Sequence, residues 1–266
     1  MFIFSKEALS GQHILITGAT GGIGFETSKV CVQAGANVTV TGRNEEKLRE
    51  VKKECEKLNP EARVFVCPAD LADPESRFRL VQSALDEIGT FTGLVNSAGI
   101  GGGNTLEKLE EKVLRKVMEL NYTSTVLLTQ AVYKNMLENK KGAIVNVSSL
   151  SGLRGTHGGT AYAASKFALI GFTQSFALEA IESGIRVNAV CPGYVDTKMG
   201  RDAIKSKGEK ENRSYEEQLQ AAKGTIPSGR LSTAEEVANS ILFLLTDAAE
   251  NIVGESLKIS GGSVMR

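Results

Sequence analysis

The stretch Thr17-Gly18-Ala19-Thr20-Gly21-Gly22-Ile23-Gly24 lies between a short β-branched run at 13–17 and a helical pattern at 24–34. Glycines at 18, 22 and 24 let a backbone turn tightly and come close to a bound group. The helix that follows offers free N–H groups and the positive end of its dipole. Strand, glycine turn and helix together make a cradle for a dinucleotide pyrophosphate, spaced Gly-x-x-x-Gly-x-Gly rather than the commoner Gly-x-Gly-x-x-Gly. A glycine cluster alone also serves as a plain strand-to-helix turn, so the rest of the chain decides between the two.

The same rhythm continues outward from this turn. Strand-like runs fall at 13–17, 37–41, 63–67, 94–96, 143–148, 186–191 and 257–259, and helical spacing at 24–34, 45–58, 74–88, 110–137, 162–183 and 233–245. Asp73-Pro74, and Ser232-Thr233 ahead of Glu235, read as helix starts. Strands alternating with helices predict one α/β domain over 1–266, Rossmann-like and doubly wound, with a seven-stranded parallel sheet flanked by helices. No linker rich in Pro, Ser or Gly divides it. The polar segment 198–228, rich in Lys and Glu, breaks the rhythm just after a strand end, where ligands of open α/β sheets bind. It reads as a substrate lid, the alternative being a solvated helical excursion.

A chain of 266 residues with 41% apolar content can bury a full core. Lys+Arg and Asp+Glu balance at 31 each, so no global field draws nucleic acid or an anionic membrane, and neither is an expected partner. Cys31, Cys55, Cys67 and Cys191 stand singly, without Cys-x-x-Cys spacing, which argues against a metal site or a disulfide. The first nine residues include Lys6 and Glu7 and no apolar stretch of signal or membrane-span length, so a cytoplasmic, reducing setting is expected.

Tyr162 and Lys166, in Tyr-Ala-Ala-Ser-Lys, stand four residues apart and thirteen beyond the Ser148-Ser149 pair. Residues at i and i+4 share one helix face, so a phenol and an ammonium can act as one acid–base unit. Bringing a phenol that titrates near 10 to work near neutrality takes about 4 kcal/mol. A cation about 4 Å away at an effective dielectric of about 20 supplies that much.

Thr-Gly-x-x-x-Gly-Ile-Gly, Asn96-Ser97-Ala98-Gly99, Asn121, Ser149, Tyr162-x-x-x-Lys166 and Pro192-Gly193 occur in the order and approximate spacing of the classical short-chain dehydrogenases/reductases. The resemblance runs from about residue 10 to 262. It implies a nicotinamide cofactor, a catalytic set of Asn121, Ser149, Tyr162 and Lys166, and a homotetramer paired through the long helices 110–137 and 162–183. By the same resemblance Tyr162 exchanges the proton with the substrate oxygen and Ser149 hydrogen-bonds that oxygen. Lys166 holds the nicotinamide ribose, and Asn121 fixes a water that links the lysine to solvent. Ser148 is the rival of Ser149, and the family spacing selects Ser149. The cofactor positions it implies are Gly18, Thr20, Gly22, Ile23, Gly24, Asp70, Leu71, Asn96, Ala98, Gly99, Tyr162, Lys166, Pro192, Gly193, Val195 and Thr197. Taken singly, each of these also reads as an ordinary turn, cap or helix residue.

At the end of the second strand, where NAD-preferring relatives place a carboxylate, the chain reads Thr41-Gly42-Arg43-Asn44. Gly42 leaves room for an extra phosphate and Arg43 offers it a planar cationic fork, which favours NADP(H) over NAD(H). Gly21 stands where many NADP-using relatives carry a second basic residue, and Ser97 and Ser260 also depart from the family pattern. Around the pocket, 101–103, 153–160 and the segment from Tyr194 are expected to border the substrate, with His157 and Tyr194 as contacts. The chain looks most like 3-oxoacyl and polyketide ketoreductases and 3-hydroxybutyrate dehydrogenases. The expectation is reduction of a ketone or β-keto ester or thioester. The alternatives are an NAD-dependent alcohol or 3-hydroxyacyl dehydrogenase working oxidatively and, from another class, a non-catalytic nucleotide-binding regulator.

Overall fold

Side chains alternate across a strand, so Ile14 and Ile16 pack toward one face of the sheet while Leu15 packs toward the other, and all three are fully buried. A strand buried on both faces belongs to a parallel sheet covered by helices on each side. The computed structural model describes residues 3–265, so Met1, Phe2 and Arg266 at the ends of the expected 1–266 domain lie outside the described residues. Its strands are β1 (His13–Thr17), β2 (Asn37–Thr41), β3 (Val64–Val66), β4 (Gly93–Asn96), β5 (Gly142–Val147), β6 (Ile185–Pro192) and β7 (Ser256–Ile259). They form one parallel sheet in the order β3-β2-β1-β4-β5-β6-β7. The winding direction reverses between β1 and β4, and open α/β sheets bind ligands at the carboxyl edge beside such a reversal.

Helices α1 (Gly22–Gln33), α2 (Glu45–Leu58), α3 (Pro74–Ile88), α4 (Glu111–Met118) and α5 (Ser124–Asn139) precede β5. After it come α6 (Thr160–Ala180), α7 (Lys198–Lys210), α8 (Tyr215–Gly224) and α9 (Ala234–Leu245). One core layer joins Val30 and Cys31 of α1, Leu48 and Val51 of α2 and Ile241 of α9 to Ile14, Val38 and Val145. The other joins Leu80 of α3, Leu128 and Val132 of α5 and Phe176 of α6 to Leu15, Leu94 and Ile144. The Asp73 side chain accepts from the N–H groups of Glu75 and Ser76 ahead of Pro74, as its sequence context predicts. Thr233 caps α9, but its reciprocal partner is Glu236 rather than Glu235, because the capping box spans three residues.

The expected single helix over 110–137 is interrupted. A π turn at Glu119–Thr123 separates α4 from α5 and widens the coil by one residue around Asn121. The expected helix at 162–183 begins earlier, at Thr160, and closes with a 3₁₀ turn at Ile181–Ser183. The polar segment after β6 folds into α7 and α8, joined through Asn212 in the left-handed region at φ 52°.

Candidate active site

Every strand end at the carboxyl edge delivers a residue that the sequence singles out. β1 runs into the glycine turn, where Gly18 has φ 64°. A Cβ there would come within 2.8 Å of the Ala98 backbone, so the close approach of the β1 and β4 loops admits only glycine. Gly22 opens α1 against Thr197, whose methyl would lie 2.6 Å from a Cβ at that position. The first turn of α1 carries no acidic residue and no side-chain cap, so its N–H groups face the crevice unpaired by side chains. Thr20 packs beside Gly42, and Ile23 and Gly24 continue the turn into the helix. A bare helix start behind a cradle that a Cβ would fill fits the pyrophosphate of a dinucleotide.

At the end of β2, Arg43 is exposed and makes no hydrogen bond or ion pair among the described residues, while the next residue, Asn44, caps α2 by accepting from the Lys47 N–H at 2.9 Å. After β3, exposed Asp70 accepts from the Ala72 N–H at 3.0 Å and Leu71 is buried. Asn96 does not offer its side chain to the crevice. Its amide donates inward, to Thr129 Oγ1 at 2.9 Å and Asn146 Oδ1 at 2.8 Å, leaving only its backbone at the β4 end. Beyond β6, Gly193 N–H donates to Ile259 O at 2.9 Å, Val195 is buried, and Thr197 caps α7 by accepting from the Gly200 N–H at 3.2 Å.

Ser149 lies two residues beyond β5 and caps the 3₁₀ turn Leu150–Gly152. Its Oγ accepts from the Ser151 N–H at 3.1 Å, which leaves its own O–H to donate toward Tyr162. Ser148 is spent differently, buried and donating to the Lys166 carbonyl at 3.1 Å. Tyr162 is half-buried on the first turn of α6. Burial pushes its phenol above the ordinary range, and the Ser149 side chain hydrogen-bonded to it pulls the other way.

Lys166 lies one turn on, 4% exposed, with Nζ 5.7 Å from the Tyr162 ring centre. Nζ donates to Val147 O at 2.9 Å. Burial lowers its pKa to about 8, with neighbouring Cys191 raising it slightly. Asn121, in the π turn, clasps the loop after β4. It accepts from the Ile100 N–H at 2.8 Å, donates to Ile100 O at 2.9 Å, and donates to Ser165 Oγ at 3.1 Å. Ser165 in turn donates to Tyr162 O at 2.7 Å. Asn121, Ser149, Tyr162 and Lys166 therefore converge from α4–α5, β5 and α6 on one point of the crevice. Of the other pocket candidates, Tyr194 is half-buried and His157 is exposed.

The supporting roles of three residues escaped the sequence reading. Thr17 Oγ1 accepts from the N–H groups of Ser97 and Ala98, each at 3.0 Å, and so ties β1 to the β4 loop. Its place immediately before Gly18 was the available signal. Ser165 shares the Tyr-Ala-Ala-Ser-Lys run, and only the π turn reveals its link to Asn121. Cys191 lies beneath the centre, where burial pushes its thiol up to about 11 against hydrogen bonds from the Ser149 backbone and the Ser148 side chain. Among the described residues no group of three His, Cys, Asp or Glu side chains could hold a metal, and no helix is long and apolar enough to cross a membrane.

The chain matches the short chain dehydrogenase family model over residues 12–208. It is 34% identical to the 3-oxoacyl-(acyl-carrier-protein) reductase FabG of Vibrio cholerae, covering 97% of this chain and 99% of that one. Its fold is similar to that of a variant actinorhodin polyketide ketoreductase with NADPH, at TM-score 0.92 and 32% identity over 98% of this chain and 99% of that one. NAD+-bound xylitol dehydrogenase is also similar, at TM-score 0.90 and 26% identity over 96% and 99% of the two chains.

Proposed function

The chain belongs to the short chain dehydrogenase family, and we propose that it reduces a ketone, with a β-keto ester or thioester as leading class, using NADP(H). The observation that carries this reading is the convergence of Ser149, Tyr162, Lys166 and Asn121 beside a glycine cradle. A nucleotide-binding regulator needs the cradle alone. Ketoacyl reductases among the relatives support the substrate class, and the NADPH-bound ketoreductase supports the cofactor. The NAD+-bound xylitol dehydrogenase lends weight to an oxidative reading, against which unpaired Arg43 beside Gly42 favours a 2′-phosphate.

The cofactor, when bound, supplies hydride to the carbonyl carbon. Tyr162 donates its proton to the carbonyl oxygen, and burial keeps the phenol protonated for that task. The Ser149 O–H, turned from the Tyr162 phenol to the substrate, hydrogen-bonds the same oxygen as negative charge develops. Lys166 makes the local potential positive and favours the tyrosinate left behind. Asn121 and Thr17 hold the loop after β4 so that Ala98 and Gly99 line the dinucleotide, with Asp70 and Leu71 at the adenine end and Pro192, Gly193, Val195 and Thr197 along the nicotinamide. Helices α7 and α8 act as the lid, and a cytoplasmic setting suits a reduced cofactor.

Exposed Leu127 on α5 and Phe167 and Leu178 on α6 support burial of these helices between subunits of a homotetramer. A monomeric mass in solution would refute the assembly.

Following NADPH and NADH absorbance with a panel of β-keto esters and ketones tests the function. Consumption of NADPH in preference to NADH is expected. NADH preference overturns the cofactor assignment, and silence with both overturns the reductase reading.

A further inference from the structure

A cleft of about 340 Å³ opens between α7 and α8, lined by Tyr194, Lys207, Glu211, Arg213, Gln218 and Thr225. Two cations face one carboxylate across it. Glu211 lies 2.9 Å from Arg213 Nη1 and 3.9 Å from Lys207 Nζ, and all three side chains reach solvent.

Gln218 differs from these exposed residues, being only 2% exposed. Its Oε1 accepts from Arg213 Nη1 at 3.3 Å. A guanidinium can only donate, so the contact fixes the oxygen on the arginine side and turns the amide nitrogen away from it. That nitrogen has no hydrogen-bond partner among the described residues. It is not among the side-chain atoms sealed from solvent without one, which are Thr41 Oγ1 and Ser256 Oγ. Gln218 Nε2 is thus a donor that still reaches solvent, on an otherwise buried side chain that lines the cleft. An N–H that reaches solvent beside cationic side chains is free to donate to an anion entering the cleft. Arg213 lines the same cleft and keeps guanidinium N–H groups that Gln218 and Glu211 do not use, so donors of both residues are open to the oxygens of one carboxylate or phosphate.

We propose that this cleft binds the carboxylate or phosphate group of a small molecule, held by Gln218 and Arg213 with Lys207 adding charge. Two sources share that chemistry: the far end of the reduced substrate, or a separate small anion that fixes α7 against α8. Tyr194 directly follows Pro192-Gly193, so the cleft adjoins the wall of the active crevice along the chain. The substrate-tail source rests on the reductase reading, whereas the site itself does not.

Calorimetric titration of the intact protein with succinate and with inorganic phosphate tests the site. Saturable binding of at least one probe is expected. It weakens at least tenfold in Gln218→Leu and in Arg213→Gln, and is unchanged in Arg43→Ala, which removes a cation from the cofactor crevice instead. Glu211→Gln removes the carboxylate that lines the cleft beside both cations and is expected to tighten binding at least threefold, a gain that mere disturbance of the lid would not produce. No saturable heat from either probe, equal binding in all variants, or loss confined to Arg43→Ala would overturn the proposal.

The sources separate in the ratio of KM values for two β-keto esters, one bearing a terminal carboxylate and one neutral. A rise of at least fivefold in that ratio in Arg213→Gln assigns the cleft to the substrate tail, and an unchanged ratio assigns it to a separate anion; both keep the site. Absence of turnover with either ester counts against the reductase reading, and calorimetry alone then decides here.

Discussion

The Lys166 ammonium stands 5.7 Å from the centre of the Tyr162 ring and is held by the Val147 carbonyl at 2.9 Å, with no carboxylate paired to it among the described residues. The charge is therefore buried without a counterion, and burial lowers its pKa from 10.5 to about 8. The phenol and the cation share one pocket at the expense of fold stability, a trade that the proposed catalytic role accounts for.

Lys166→Met removes that cost. The unfolded chain holds this proton more tightly than the native one, so below pH 8 the native state carries a penalty of about 3 kcal/mol. The penalty fades as pH rises toward 10.5. At pH 7 the variant is expected to be about 1–3 kcal/mol more stable than the parent, after losing the bond to Val147, and inactive. Denaturant unfolding at pH 7 and pH 10 checks both the gain and its disappearance. A variant less stable at pH 7 would contradict the assignment.

Tyr162→Phe keeps the ring and deletes the proton donor. Turnover is expected to fall at least about 100-fold, the usual worth of a positioned acid. Cofactor affinity, read by quenching or transfer fluorescence, stays within about twofold. Unchanged turnover would end the proposed mechanism.

Arg43→Ala tests the cofactor assignment. Loss of charge-assisted hydrogen bonds worth about 1.5–3 kcal/mol weakens NADPH binding about 10- to 100-fold and leaves NADH binding unaffected. A Cβ at Gly42 would sit 3.3 Å from Thr20 Oγ1 with no positive φ to strain it, so an aspartate fits with a small shift. Gly42→Asp with Arg43→Ala is expected to invert the preference toward NADH, measured as the ratio of kcat/KM values.

What the sequence disclosed follows from the range of the forces involved. Strand positions and the glycine turn depend on local pattern, and all seven strands lie within a residue or two of their expected bounds because their hydrophobic runs are short and sharply ended. Tyr162 and Lys166 were legible because one helical turn fixes their relation. Asn121 was legible by its family position only. The π turn that aims its amide at Ile100 and Ser165 adds a residue to a helix whose apolar spacing reads as unbroken over 110–137. The inward turn of Asn96 depends on Asn146 and Thr129, fifty and thirty-three residues away, and no local pattern encodes it. The packing of α7 against α8, and with it the cleft at Gln218, is likewise a tertiary outcome of a segment that reads only as polar.

His13 carries the last prediction. It is buried on β1, with Nδ1 2.7 Å from Gly89 O, Nε2 2.8 Å from Thr39 Oγ1, and its ring 4.7 Å from that of Phe91. Nδ1–H donates to the carbonyl, so neutral Nε2 accepts from the threonine, and a second proton would face a hydroxyl hydrogen in an apolar site. Burial accordingly lowers its pKa from 6.5 to about 4, outweighing the Gly89 hydrogen bond. The unfolded chain takes up the proton first, so this stability is complete above pH 6.5 and is lost as pH falls toward 4. The loss amounts to about 3 kcal/mol. Denaturant unfolding at pH 7, 5.5 and 4 is expected to show that decline in the parent. In His13→Leu, which cannot titrate, the decline is expected to be smaller by most of that amount. Parallel declines in both proteins would mean that His13 is not the group that weakens the fold in acid.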